Sequence, residues 1–174
     1  SIASHRLNRI LVSTMLAERD SERRASEDAL TGLANRSGLQ VALERVCASA
    51  RGHDSHAALL YMDMDDFKRI NDTHGHAAGD QVLTTIAQRM RGMLRVDDVA
   101  ARIGGDEFIV LVTGIDATAA LRLGEHLLRD ASQPIALADG TRVSVGLSIG
   151  ISIISAANRS PQAALDSADA ALYR

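Results

Sequence analysis

Apolar positions change their spacing several times along the chain, and each change marks an element. Over residues 1–27, Ile2, Leu7, Ile10, Leu11, Val12, Met15 and Leu16 recur at helical spacing before the charged run ERDSERRASED takes over. This predicts an exposed helix with an apolar stripe on its first half. Such a stripe needs a partner, so a connecting or dimerising helix is expected. Gly32 in DALTGLANRSG breaks the pattern, a second helix is expected from about Arg36 to Ala50, and RGHDSH reads as a loop. AALLYMDM reads as a buried strand, and GDQVLTTIAQRMRGML as a helix with Val82, Leu83, Ile86, Met90 and Leu94 on one face. VAARI and EFIVLV read as strands joined through Gly104-Gly105, a hairpin with the residues a primed turn prefers. ATAALRLGEHLLRDAS is a helix, and Asp139-Gly140 marks a second hairpin. The last helix, SPQAALDSADAALYR, opens with Ser160 as N-cap and Pro161 at the first helical position.

The alternation of helices with strands and hairpins predicts an α/β (α+β) fold, a mixed sheet with helices packed against it. At 174 residues the chain fits one domain. It is 46% hydrophobic but only 2% aromatic, so its core is built from Ala, Leu, Ile and Val. The net charge of −3 gives no electrostatic footprint for nonspecific binding of nucleic acid. Cys47 is the only cysteine, which excludes an intrachain disulfide and fits a reducing cytoplasm. No apolar run approaches a membrane span and no signal-peptide core opens the chain, so a soluble piece is expected, with a membrane-anchored parent still open.

Two acidic stretches carry the candidate chemistry. LLYMDM is apolar until Asp63, which falls where a buried strand surfaces, and carboxylates there are costly unless paired or bound to a cation. If the hairpin delivers Asp106 and Glu107 to the same edge as Asp63, Asp65 and Asp66, like charges gather and a divalent metal resolves the conflict. Hard oxygen donors with open positions suit Mg2+ or Mn2+ shared with a triphosphate. Gly104 and Gly105 are expected to adopt positive φ and to leave space for a ligand. Lys68, the only lysine among 19 basic residues, lies beside this cluster and hints at a phosphate contact. Polar hairpin tips and an exposed acidic loop would explain either stretch alone, less easily both.

Together, RIGGDEF, DMDDFKRINDTHGHAAGD and DALTGLANR resemble the GGDEF domain, the catalytic domain of bacterial diguanylate cyclases, from about Asp28 to Arg174. The resemblance implies a largely antiparallel central sheet surrounded by helices, related to class III nucleotide cyclases and polymerase palms. It also implies condensation of two GTP into cyclic di-GMP with release of pyrophosphate. Asp63, the main-chain carbonyl of Met64, Asp106 and Glu107 match the metal site, with Asp106 also the proposed base for the 3′-hydroxyl and Glu107 counted with it as catalytic. Lys68 and the backbone at Asp66 and Phe67 match the phosphate-binding loop. Asn71 and Asp80 match the pair that reads the guanine edge, and His76 lies in the same substrate loop. Guanine offers N1–H and N2–H2 donors that a carboxylate accepts, so GTP is expected to be favoured over ATP. Arg95 and Asp98, as RxxD, match the inhibitory product site.

The resemblance further implies a homodimer in catalysis, because one domain holds one GTP, and a signalling role with a sensory domain upstream, a phosphodiesterase domain downstream being left open. A segment carrying further Lys and Arg usually follows ADAALYR, and without it weaker triphosphate binding is expected. The alternative is a regulatory module that binds GTP or cyclic di-GMP without turnover, although every acid of the signature is intact.

Overall fold

The computed structural model describes residues 2–49, 56–156 and 160–172. In chain order its elements are α1 (Ile2–Ser26), α2 (Arg36–Ser49), β1 (Ala57–Asp65), α3 (Phe67–His74), α4 (His76–Met93), β2 (Val99–Arg102), β3 (Glu107–Thr113), α5 (Ala117–Ala131), β4 (Ile135–Ala136), β5 (Arg142–Val143), β6 (Gly146–Ile154) and α6 (Pro161–Leu172). Four strands form a sheet in the order β2-β3-β1-β6 with every neighbouring pair antiparallel, and β4 with β5 makes a separate ribbon. The expected central, largely antiparallel sheet with helices around it is present, and its four strands are antiparallel throughout instead of mixed. Among the described residues a parallel pairing occurs only in an isolated bridge between Ala34 and Ala101.

The central strands are apolar on both faces because both faces are covered. On β1, Ala58, Leu60, Met62 and Met64 point into a core shared with Val82, Ile86 and Met90 of α4 and Leu127 of α5. The alternate residues Ala57 and Leu59 join Leu39 and Leu43 of α2 and Ala164 and Ala168 of α6. Strand β3 divides in the same way, Phe108, Val110 and Val112 to the first core and Ile109 and Leu111 to the second. Each fully buried Leu or Ile of this kind contributes about 1.5–3 kcal/mol relative to exposure. The scarcity of aromatic residues is met by close approach of backbones. A Cβ on Gly150 of β6 would overlap the Ala168 carbonyl of α6.

Most expected elements are found, with differences at their edges. The helix expected over 79–94 begins at His76, and α3 was hidden inside an acidic stretch because only Phe67 and Ile70 carry its apolar face. Val82, Leu83, Ile86 and Met90 are buried as expected, whereas Leu94 is only partly so. Gly140 (φ 83°) turns the β4–β5 ribbon, and Ser160 Oγ accepts the Ala163 N–H over 3.3 Å at the start of α6. Ala50, most of the RGHDSH loop and the Tyr173-Arg174 end of the last expected helix lie outside the described residues. On α1, Leu7, Ile10, Leu11, Val12, Met15 and Leu16 are all exposed, so the stripe finds no cover among the described residues. No helix among the described residues is long and apolar enough to cross a membrane.

Candidate active site

The face of β1 that buries Ala57 and Leu59 runs out of covering helix toward its C-terminal end, and there the same alternation brings Tyr61 and then Asp63. The antiparallel register sets Asp63 directly opposite Glu107, the first residue of β3. One residue earlier Asp106 closes the turn, and its carbonyl accepts the Met64 N–H over 3.1 Å, so the ladder continues into the hairpin tip. Sequence reasoning expected these carboxylates to meet, and the register brings them to one edge.

The electrostatics record the crowding. Burial pushes the Asp63 carboxyl above the usual carboxylate range, and the charges of Asp106, Glu107 and Asp65 push it further. Among the described residues no Lys or Arg forms an ion pair with Asp63, Asp106 or Glu107. Asp65 accepts a hydrogen bond from Ser148 Oγ at 2.7 Å, and Glu107 Oε1 accepts one from Tyr61 Oη at 2.8 Å. Burial, then the hydrogen bond to Glu107 and its charge, raise the Tyr61 phenol well above its ordinary value. Among the described residues no three acidic, His or Cys side chains yet converge as a formed metal centre. The donors are nevertheless hard oxygens, uncompensated by any contacting cation, and that set fits a divalent ion.

Of the two purposes expected of the signature glycines, space is found and positive φ is not. Neither Gly104 nor Gly105 has positive φ; among the described residues the left-handed glycines are Gly32, Gly75, Gly114 and Gly140. The turn is wider than a two-residue hairpin, closing with the Ile103 N–H on the Glu107 carbonyl at 3.0 Å, so it needs no primed geometry. What Gly104 provides is room, since a Cβ there would overlap Glu107 Oε2. Gly105 faces open space, as a backbone reserved for a ligand would.

The hairpin is also clamped from outside. Arg102 donates from Nε and Nη2 to the Gly105 carbonyl (3.2 and 2.9 Å) and from Nη1 to both oxygens of Asp28 (3.1 and 3.2 Å), with side chains only 16% and 21% exposed. Asp28 also accepts the N–H and the hydroxyl of Thr31. Burial raises the Asp28 carboxyl, but the Thr31 bonds and then Arg102 outweigh it and hold the pKa below the usual value. Arg36 donates to the Ile103 carbonyl at 3.2 Å. Asp28 and Arg102 lie within the motifs DALTGLANR and RIGGDEF, which by themselves assign neither a role. Their 74-residue separation carries no periodic signal, although an Arg directly before the glycine pair was visible.

The substrate-side candidates fall on α3 and α4, just beyond the end of β1. Asp66 reverses the chain in the left-handed region (φ 56°, ψ 25°), which a non-glycine residue adopts only at a cost. It gives α3 no side-chain cap, so the backbone N–H groups at the start of the helix are not taken up by its side chain and can meet an anion. Phe67 itself is buried, leaving only its backbone for binding, while Lys68 is exposed. Asn71 sits where a Cβ on Gly79 would overlap its Oδ1, so Gly79 lets its amide lie against the turn of α4 that carries Asp80. His76, exposed, opens α4 after Gly75.

The RxxD residues stand apart, on the turn between α4 and β2. Asp98 Oδ2 accepts the backbone N–H of Arg95 at 2.9 Å, and the Asp98 N–H donates to the Arg95 carbonyl at 3.1 Å. No ion pair joins the two side chains, so the exposed Arg95 guanidinium is not consumed by Asp98. Both line a groove of about 570 Å3 between this turn, Arg91 and the Glu27–Ala34 loop.

A mainly antiparallel sheet covered by helices, with acidic residues at a strand end and in the facing hairpin, defines a palm-type α/β domain. The family model described as "Diguanylate cyclase, GGDEF domain" matches residues 25–174. The chain belongs to the GGDEF family. It is 45% identical over 150 residues to the diguanylate cyclase TpbB of Pseudomonas aeruginosa, covering 86% of this chain and 34% of that protein. The chain thus spans about a third of that curated relative's length. Its fold matches the isolated GGDEF domain of TpbB at a TM-score of 0.80 and 44% identity, covering 84% of this chain and 86% of that one. It also matches the coiled coil and GGDEF domain of DgcB from Caulobacter crescentus, solved in complex with c-di-GMP, at a TM-score of 0.83 and 30% identity over 95% of this chain and 91% of that one.

Proposed function

We propose that this chain is the catalytic unit of a diguanylate cyclase, condensing two GTP into cyclic di-GMP with release of pyrophosphate. The observation that carries the reading is the β1–β3 register. It sets Asp63 opposite Glu107 with Asp106 next in the turn, none of them ion-paired among the described residues, at the strand end that leads through Asp66 into α3 and Lys68. Asp63, the Met64 carbonyl, Asp106 and Glu107 would hold Mg2+ or Mn2+, which when bound stabilises charge on the α-phosphate and lowers the pKa of the attacking hydroxyl.

The chain's own residues supply the rest. Lys68 and the N–H groups at Asp66 and Phe67 neutralise and orient the phosphates. Asp106 takes the proton of the 3′-hydroxyl. Asp80 accepts from guanine N1–H and N2–H2 while Asn71 bonds the same edge and His76 borders it, so adenine leaves these groups unpaired. Gly104 and Gly105 keep the turn clear for the substrate. Because the product joins two nucleotides, two such domains must face one another, and the exposed α1 stripe suits a second copy in a parallel pair. Residues 1–27 would then be the dimerising connector and 28–174 the catalytic domain, acting at the cytoplasmic end of a longer signalling protein. Arg95 and Asp98 would bind product in the α4–β2 groove, separate from catalysis. Incubation with GTP and Mg2+, followed by separation of the nucleotides, tests the reading: cyclic di-GMP and pyrophosphate are expected, and recovery of GTP alone contradicts it.

A further inference from the structure

We infer that Tyr61 is a positioning residue for Glu107, its phenol holding the signature glutamate in the orientation that ion binding requires. The inference rests on the cyclase reading above. Tyr61 and Asp63 share one face of β1, with Ile109 and Glu107 opposite them on β3, so the phenol reaches Glu107 along a cross-strand diagonal. Its hydroxyl donates to Oε1 at 2.8 Å, a charge-assisted bond. The other oxygen, Oε2, lies against Gly104, where a Cβ would overlap it. One oxygen is therefore held from the sheet side and the other is confined from the turn side. A glutamate without these restraints would sample several rotamers.

The ring is itself seated. It packs against the α2–α6 core and borders a cavity of about 260 Å3 lined also by Arg36, Ile109, Leu165 and Asp169. Packing fixes the ring, the ring aims the hydroxyl, and the hydroxyl fixes the carboxylate. Among the described residues no cation contacts Glu107 to do this instead. Tyr61 touches no reacting atom, so its contribution passes through Glu107 alone.

The test uses Tyr61→Phe, which keeps the ring and removes only the donor. Binding of Mn2+ alone is followed by the electron paramagnetic resonance of the free ion, beside kcat and KM for GTP. Tyr61→Phe is expected to bind Mn2+ several-fold more weakly and to lower kcat about tenfold with KM little changed, while the melting temperature stays near that of the parent. In a Glu107→Ala background, where the phenol has nothing to hold, the same substitution is expected to leave the residual Mn2+ affinity unaltered. Equal losses in both backgrounds, or parent-like Mn2+ binding and kcat in Tyr61→Phe, overturn the inference while leaving the cyclase reading intact. A parent protein that binds no Mn2+ overturns the metal reading and this inference with it.

Discussion

At the scale of single residues, Asp63 is where fold and chemistry conflict. Its raised pKa means that the folded state holds the proton more tightly than the unfolded chain. Its contribution is therefore most favourable at low pH and declines as pH rises through the ordinary value of 3.8 toward the raised folded one. Asp63→Asn removes that charge. With a chelator present at neutral pH it is expected to melt higher than the parent while losing affinity for Mn2+, and an unchanged or lower melting temperature would contradict the account of crowded carboxylates. Asp28 has the opposite sign. Its lowered pKa makes its contribution complete above the ordinary carboxylate value and lost as pH falls through the folded one. Asp28→Asn should destabilise by about 2–4 kcal/mol, since it leaves the part-buried Arg102 without its counter-charge. Urea unfolding at pH 7 checks this, and a loss under about 0.5 kcal/mol would place the pair among ordinary surface bridges. Asp63, Asp106, Glu107 and Lys68 could be picked from the sequence because each interrupts a local pattern. Tyr61 could not, because a tyrosine in a strand reads as core until the cross-strand register gives its hydroxyl a partner.

At the scale of elements, the β2–β3 hairpin is a platform fixed at three points: Ile103 by Arg36, Gly105 by Arg102, and Asp106 by Met64. The two signature glycines should therefore respond differently to one added methyl. Gly104→Ala is expected to displace Glu107 and to cost at least tenfold in kcat with the fold retained, because the new Cβ occupies the space of Oε2. Gly105→Ala meets no protein atom, so its stability should match the parent and any loss should appear in KM for GTP. Identical kinetic effects at both positions would refute this division of roles. Strands and hairpin were legible in the sequence because β1 is an apolar run that ends in acids and β3 one that begins with them. The turn geometry was not, since paired glycines suggest positive φ whether they are needed for conformation or for space. Helix α3 was missed for a related reason: eight residues with two buried side chains are too short for periodicity to outweigh an acidic composition.

At the scale of the whole molecule, none of the described residues covers the apolar stripe of α1, and the proposed condensation of two GTP needs two active sites. Specific activity is therefore expected to rise with protein concentration, and Ile10→Glu with Met15→Glu to lower it without altering GTP binding by one domain. Parent-like specific activity at every concentration in that double variant would contradict a role for α1. The Arg95 groove belongs to the same scale, because product bound there, as proposed, would restrain the strand that leads to the hairpin or bridge two domains. Arg95→Ala is expected to spare the initial rate but to relieve slowing as cyclic di-GMP accumulates, with pyrophosphate removed and GTP saturating. Equal slowing in parent and variant would leave Arg95 a solvated surface residue. The most direct measurement is cyclic di-GMP formation from GTP and Mg2+ by the parent and by folded Asp106→Ala. The expected result is metal-dependent product from the parent and none from the variant, and equal turnover by both would contradict the assignment of the chemistry to the β1–β3 carboxylates.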